Sequence, residues 1–120
     1  MKKVAILGST GSIGTSTLEV IEANPDLFSI TLLAAESNID LILDQGKKFN
    51  SKYLYLNDNL SSSKLNAKIS SLNLKTSLVN EKEYLDVIAS DEVDIVVAGI
   101  VGVAGLKSIH KAVSAGKRVL

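Results

Sequence analysis

The sequence contains no cysteine, and among its 120 residues it has one proline, Pro25, one histidine, His110, and one arginine, Arg118. Without cysteine the chain forms no disulfide and offers neither a thiol nucleophile nor a thiolate metal ligand; the redox compartment is left open. Net charge is also absent, since thirteen basic and thirteen acidic residues cancel. A neutral chain has no field to draw it to nucleic acid or to an anionic membrane. No apolar run comes near the ~20 residues needed to span a bilayer. Met1-Lys2-Lys3 is basic, but the apolar run behind it is short and ends in glycines. This start reads as a first strand rather than a signal or transit peptide, and a cytoplasmic location is expected. The length suits one domain that buries about two-thirds of its unfolded surface, with no room for a second.

What the chain does have is Gly8-Ser9-Thr10-Gly11-Ser12-Ile13-Gly14, set between the apolar run Val4-Ala5-Ile6-Leu7 and a helical pattern. A glycine-rich turn that leaves a strand and opens a helix fits the first βα unit of a dinucleotide-binding fold. Gly8 permits a tight exit from the strand, Gly11 lets backbone approach a pyrophosphate, and Gly14 lets the helix lie close to the strand. The helix start then offers unpaired N–H groups and partial positive charge to a phosphate. The spacing is G-x-x-G-x-x-G, one residue wider than the commonest fingerprint, and it puts the hydroxyls of Ser9, Thr10 and Ser12 around the phosphate position. A mononucleotide fold, or a turn that only packs, remains open at this point. A P-loop is excluded, because no Gly-Lys-Ser/Thr follows.

Strand and helix signals alternate along the rest of the chain. The first helix is predicted over Ser12 to Ala23, with Gly14, Leu18 and Ile21 on its inner face and Asn24-Pro25 as its stop. Ser29 to Ala35 reads as a covered strand, and Ser37-Asn38-Ile39-Asp40 as a capped helix start whose buried face is Ile39, Ile42, Leu43, Gly46 and Phe49. Lys52 to Leu56 is a strand nearer a sheet edge, and Leu65, Ile69 and Leu72 mark a short helix. Then come a strand at Ser77 to Val79, a helix from Glu81 to Ser90 with Leu85 and Ile88 inward, and a strand at Val93 to Ala98. A second glycine turn, Gly99 to Gly102, leads into a helix from Val103 to Ala115 with Leu106, Ile109, His110 and Val113 along one side, ended by Gly116. This alternation predicts an α/β fold: Rossmann-like, doubly wound, a mainly parallel sheet with helices on both faces. Lys117 to Leu120 reads as the start of another strand, so residues 1–120 are expected to be one part of a longer protein.

The run from Leu7 to Gly14, followed by Ser16-Thr17-Leu18, Asn24-Pro25 and Phe28, resembles the opening of the 1-deoxy-D-xylulose 5-phosphate reductoisomerase family. The segment Ala98-Gly99-Ile100-Val101-Gly102-Val103-Ala104-Gly105-Leu106 resembles that family's A-x-I-V-G-x-A-G-L segment. The likeness implies the NADPH-binding portion of an enzyme that rearranges and reduces 1-deoxy-D-xylulose 5-phosphate to 2-C-methyl-D-erythritol 4-phosphate. It also implies a Mg or Mn ion held by residues outside this chain, a homodimer at full length, and no catalytic residue within the chain. Carried over by motif, Thr10, Gly11, Ser12 and Ile13, with Gly8 before them, meet the cofactor, as donors to the pyrophosphate and as apolar packing beneath it. Ser37 and Asn38 meet the 2′-phosphate or simply cap a helix, and Ala98, Gly99 and Ile100 meet the ribose and nicotinamide side or simply pack.

Glu36 departs from the family, which usually has glycine there. An acid about twenty residues past the glycine turn ordinarily accepts from a ribose 2′-hydroxyl and marks NAD. The resemblance favours NADPH, with Glu36 turned to solvent. His110 is read as a partly covered surface histidine rather than a general base. No pair of carboxylates has a spacing that argues for a metal. The alternatives are another NAD(P)-linked reductase domain and a non-catalytic dinucleotide-sensing module. A short-chain reductase loses support because Tyr84 is followed four residues later by Ile88 rather than lysine.

Overall fold

A computed structural model describes residues 1–100 and 103–120. The elements run β1 (Lys2–Leu7), α1 (Ser12–Ala23), β2 (Phe28–Ala35), α2 (Ile39–Phe49), β3 (Tyr53–Leu56), α3 (Asn59–Ser71), β4 (Ser77–Leu78), α4 (Glu81–Ala89), β5 (Ile95–Ala98), α5 (Val103–Ser114) and β6 (Arg118–Val119). The strands form one sheet in the order β4-β3-β2-β1-β5-β6, and every pairing is parallel. The chain therefore winds outward from β1 to β4, then returns to place β5 on the other flank of β1. The point where the winding reverses lies between β1 and β5, and in open α/β sheets that is where ligands bind.

Each face of the sheet has its own core. On one face Val4, Ile6, Leu33, Leu54 and Val97 pack against Leu18 and Ile21 of α1, Ile42 and Leu43 of α2, and Leu65 and Ile69 of α3. On the other, Ala5, Leu7, Leu32, Ala34 and Val96 meet Tyr84, Val87 and Ile88 of α4 and Ala112 of α5. β2 crosses between the two sets by a register shift: Val4 pairs with Ile30 but Ala5 pairs with Leu32. The extra residue is Thr31, whose hydroxyl donates to the Glu92 carbonyl at 2.7 Å. The bulge reverses side-chain parity, so Ile30 and Leu33 share a face. A strand apolar on both faces hides such a shift from any reading of its pattern.

The first helix matches its prediction at both ends and on its inner face. Asn24 closes it, with its backbone N–H donating to the Ile21 carbonyl at 3.0 Å and its amide to the Val20 carbonyl at 2.8 Å. Elsewhere there are corrections. Asn38, not Ser37, caps α2, accepting from the Leu41 N–H at 3.2 Å. α3 is the longest helix described, with 13 residues, and Leu72 lies beyond it and exposed. In α4 the buried residues are Tyr84, Val87 and Ile88, with Leu85 half-buried. β3 does lie nearer the sheet edge than β2, as expected, with the two-residue β4 pairing outside it.

The largest correction concerns α5. Leu106 and Val113 are each 62% exposed and His110 is exposed as well, while Gly105, Ser108 and Ala112 face inward. Small residues let this helix approach closely: a Cβ added at Gly105 would stand 3.0 Å from the Ile100 side chain. A periodicity read from large apolar side chains selects the wrong stripe in such a helix. Gly116, with φ +76°, follows it as expected. Val101 and Gly102, part of the predicted second glycine turn, lie outside the described residues.

Candidate functional site

The carboxyl end of β1 is held by its neighbours. The N–H groups of Gly8 and Ser9 both donate to the Ala34 carbonyl, at 2.7 and 2.9 Å, and the Gly99 N–H donates to the Leu7 carbonyl at 2.7 Å. Gly8 has φ +82°, and a Cβ there would lie 2.8 Å from the Gly99 carbonyl oxygen. The two glycines thus stand back to back where the winding reverses. Ser9 is fully buried, and its carbonyl accepts from the Gln45 side chain at 2.9 Å. Gln45 was absent from the expected inner face of α2, although it stands three residues after Ile42 in helical register. Gly14 packs on the turn itself rather than on the strand, since a Cβ there would fall 2.3 Å from the Gly8 carbonyl oxygen.

Gly11 differs from its neighbours. It is the N-cap of α1, in extended conformation, and no side chain caps that helix, nor does its first turn carry an acid. By contrast α2, α3 and α4 are capped by Asn38, Asp58 and Asn80. Among the described residues the space beside Gly11 is open, with only the Gly8 carbonyl oxygen near, at 3.5 Å. An uncapped helix start beside open space suits an oxyanion, which would satisfy the first N–H groups and meet the positive end of the helix dipole.

A cavity of about 350 Å³ opens at this place, lined by Gly8, Thr10 and Gly11 on one side and by Gly99 and Ile100 on the other. Five of the expected site residues therefore share one cavity. Ser12 and Ile13, both exposed, form the first turn of α1 after Gly11 but do not line the cavity. Ala98 is the last residue of β5, paired with Leu7. Ser37 and Asn38 lie apart, in a second cleft with Asp40, Lys64 and Lys68. Glu36, expected to turn to solvent, is exposed but lines the first cavity.

The remaining wall was not foreseen. Tyr55 of β3 and Tyr84 of α4 stack with ring centroids 4.1 Å apart and planes 6° from parallel. The Tyr55 hydroxyl donates to the Asn57 side-chain carbonyl at 3.2 Å, and the Asn57 amide donates to the Glu36 carboxylate at 3.0 Å. Across the mouth Lys107 and Glu81 pair at 2.7 Å, both exposed. The only available signal was the position of Tyr84 at i−4 from the inward-facing Ile88, a core position like any other. Among the described residues no group of three or more His, Cys, Asp or Glu is placed to hold a metal ion, and no helix is long and apolar enough to cross a membrane.

Burial pushes the Tyr84 phenol up to about 12. Burial also raises Tyr55, helped by the carboxylates of Glu81 and Glu36. A phenol held neutral in the fold keeps its proton where the unfolded chain loses it. Its contribution is therefore fully present below pH ~10 and is lost as pH rises from there through the folded value. The loss attributable to Tyr84 is expected to reach about 2 to 3 kcal/mol by pH ~12. Denaturant unfolding of Tyr84→Phe across this range is expected to show a shallower alkaline decline; an equally steep one would mean that the ring is not withdrawn from water.

Three comparisons bear on this geometry. Residues 4–120 match the family model described as 1-deoxy-D-xylulose 5-phosphate reductoisomerase. Curated relatives of that name include those of Psychromonas ingrahamii, 48% identical over 99% of this chain and 30% of the relative, and Saccharophagus degradans, 46% identical over 100% of this chain and 31% of the relative. A solved structure of DOX-P reductoisomerase in complex with NADPH, fosmidomycin and magnesium is 34% identical with a TM-score of 0.92, over 99% of this chain and 29% of that one. The reductoisomerase from Zymomonas mobilis in complex with NADPH is 31% identical with a TM-score of 0.86, over 98% of this chain and 31% of that one. The chain thus spans about 30% of the length of the curated relatives it matches.

Proposed function

This chain belongs to the 1-deoxy-D-xylulose 5-phosphate reductoisomerase family, and on that premise we propose that residues 1–120 are the NADPH-binding domain of such an enzyme. The whole protein converts 1-deoxy-D-xylulose 5-phosphate to 2-C-methyl-D-erythritol 4-phosphate. The observation that carries the reading is the uncapped start of α1 at Gly11, opening on the cavity between β1 and β5. When bound, NADPH supplies the hydride for the reduction.

In this proposal the N–H groups of the first turn of α1, with the Thr10 and Ser12 hydroxyls, bind the pyrophosphate, and Gly8 and Gly11 keep the approach clear. Ile13 packs beneath the cofactor. Ala98, Gly99 and Ile100 border its ribose and nicotinamide side, and Ser37 and Asn38 lie toward the 2′-phosphate. The Mg or Mn ligands and the substrate's phosphate site belong to the rest of the family's length. A homodimeric whole enzyme in the cytoplasm goes with this reading, on the strength of the family. The reading is preferred to another reductase or a sensing module because the family match runs over both glycine turns.

The test has two parts. NADPH is expected to bind saturably to the protein, seen as a change in nicotinamide fluorescence. The whole protein with Mg is expected to consume NADPH only when 1-deoxy-D-xylulose 5-phosphate is added. Binding without turnover on this substrate would favour the sensing module, and no binding would remove the cofactor site.

A further inference from the structure

We infer that Glu36, held in place by Asn57, clamps the diol of the cofactor's adenosine ribose, so that Glu36 sets the choice between a 2′-hydroxyl and a 2′-phosphate; the inference rests on the dinucleotide site proposed above. Glu36 is the first residue after β2 and lines the same cavity as Gly8, Thr10 and Gly11. In a dinucleotide fold this is where the adenosine ribose lies, and an acid there accepts from its hydroxyls.

The carboxylate is held in place. The Asn57 amide donates to both its oxygens, at 3.0 and 3.3 Å. Asn57 is in turn oriented by the Tyr55 hydroxyl and by its own N–H, which donates to the Ala35 carbonyl at 3.0 Å. The Glu36 carbonyl accepts from the Asp58 N–H at 2.9 Å, so main chain and side chain are both tied to the end of β3. A carboxylate oxygen has lone pairs to spare beyond one amide contact, and these are the acceptors that two vicinal hydroxyls require.

A 2′-phosphate in this position meets charge of its own sign. Among the described residues the one cationic side chain lining the cavity is Lys107, and it is paired with Glu81 at 2.7 Å. Lys64 and Lys68 line the neighbouring cleft beyond Ser37 and Asn38, and Lys68 is paired with Asp40 at 3.1 Å. The site therefore accepts NADH as well as NADPH, with Glu36 narrowing the margin between them. Asn57 is a positioning residue and Glu36 the one that touches the ribose.

The experiment measures the dissociation constants of NADPH and NADH for the wild-type protein and for Glu36→Gln. Glu36 is exposed, and glutamine keeps a partner for Asn57, so the variant folds. The wild type is expected to bind the two nucleotides within about tenfold of each other, and Glu36→Gln to tighten NADPH about tenfold and weaken NADH by several-fold. The gain for NADPH is expected to shrink between about 50 and about 500 mM salt, because like-charge repulsion is screened and a packing effect is not. Equal NADPH affinity in both proteins, or a gain indifferent to salt, overturns the clamp while leaving the cofactor site standing. Failure of the wild type to bind either nucleotide removes both.

Discussion

Replacing Gly11 by valine is expected to weaken NADPH binding by at least about a hundredfold while the protein keeps its fold and its thermal midpoint moves by only a few degrees. Two features make the expected effect large and specific. Gly11 has φ −85° and ψ −179°, extended backbone that any residue adopts, and among the described residues a Cβ meets only the Gly8 carbonyl oxygen at 3.5 Å. The protein itself therefore has room for the side chain. The pyrophosphate does not, because the branched methyls would stand between it and the N–H groups of α1. Hydrogen bonds to a charged partner are worth about 1.5 to 3 kcal/mol each, so losing two of them suffices. Isothermal titration beside a thermal melt separates the two terms. Unchanged affinity in a folded Gly11→Val protein would take this turn out of the cofactor site.

The second large effect is of the opposite kind. Gly14→Ala is expected to destabilise the protein by about 3 kcal/mol, lowering the thermal midpoint by roughly 10 °C, before any ligand is considered. Gly14 is a buried helical residue, and its added Cβ would lie 2.3 Å from the Gly8 carbonyl oxygen and 2.5 Å from the Ser9 Cα. Both neighbours are backbone, so neither can swing aside as a long side chain would. Displacing them disturbs the paired N–H contacts to Ala34 and the Gln45 contact to the Ser9 carbonyl. Gly11→Ala, three residues away in the same turn, serves as the control and is expected to be nearly neutral for stability. A Gly14→Ala protein that melts like the wild type would show that α1 does not rest on this turn. The two glycines thus divide one motif: one keeps space for the ligand and the other closes the protein upon itself.

How far the chain could be read without its structure depended on the range of the forces involved. The limits of α1 and its face of Gly14, Leu18 and Ile21 were legible because helical spacing and a proline stop act within a few residues. The stripe of α5 was not, since it depends on how near the helix comes to Ile100, and small side chains carry no hydropathic signal. The parity change at Thr31 was hidden for a related reason: both faces of β2 are apolar, so either phase reads alike. In the candidate site the glycines were visible as a pattern along the chain, whereas the Tyr55–Tyr84 stack and the Tyr55–Asn57–Glu36 chain of contacts join separate elements.

The amino-acid order by itself determined the succession of strands and helices, the parallel α/β class, the family, and the place of the glycine turn at the end of the first strand. It did so because each of these is written in local spacing or in a contiguous run of residues. Only the tertiary structure decided that Gly8 meets Gly99, that Gly14 seals the turn while Gly11 leaves it open, and that Glu36 is held by Asn57 on the cavity wall. These meetings follow from the strand order, with β2 and β5 on opposite flanks of β1 and β3 beyond β2. Strand order is set by the packing of whole faces against one another, which no short window of sequence contains.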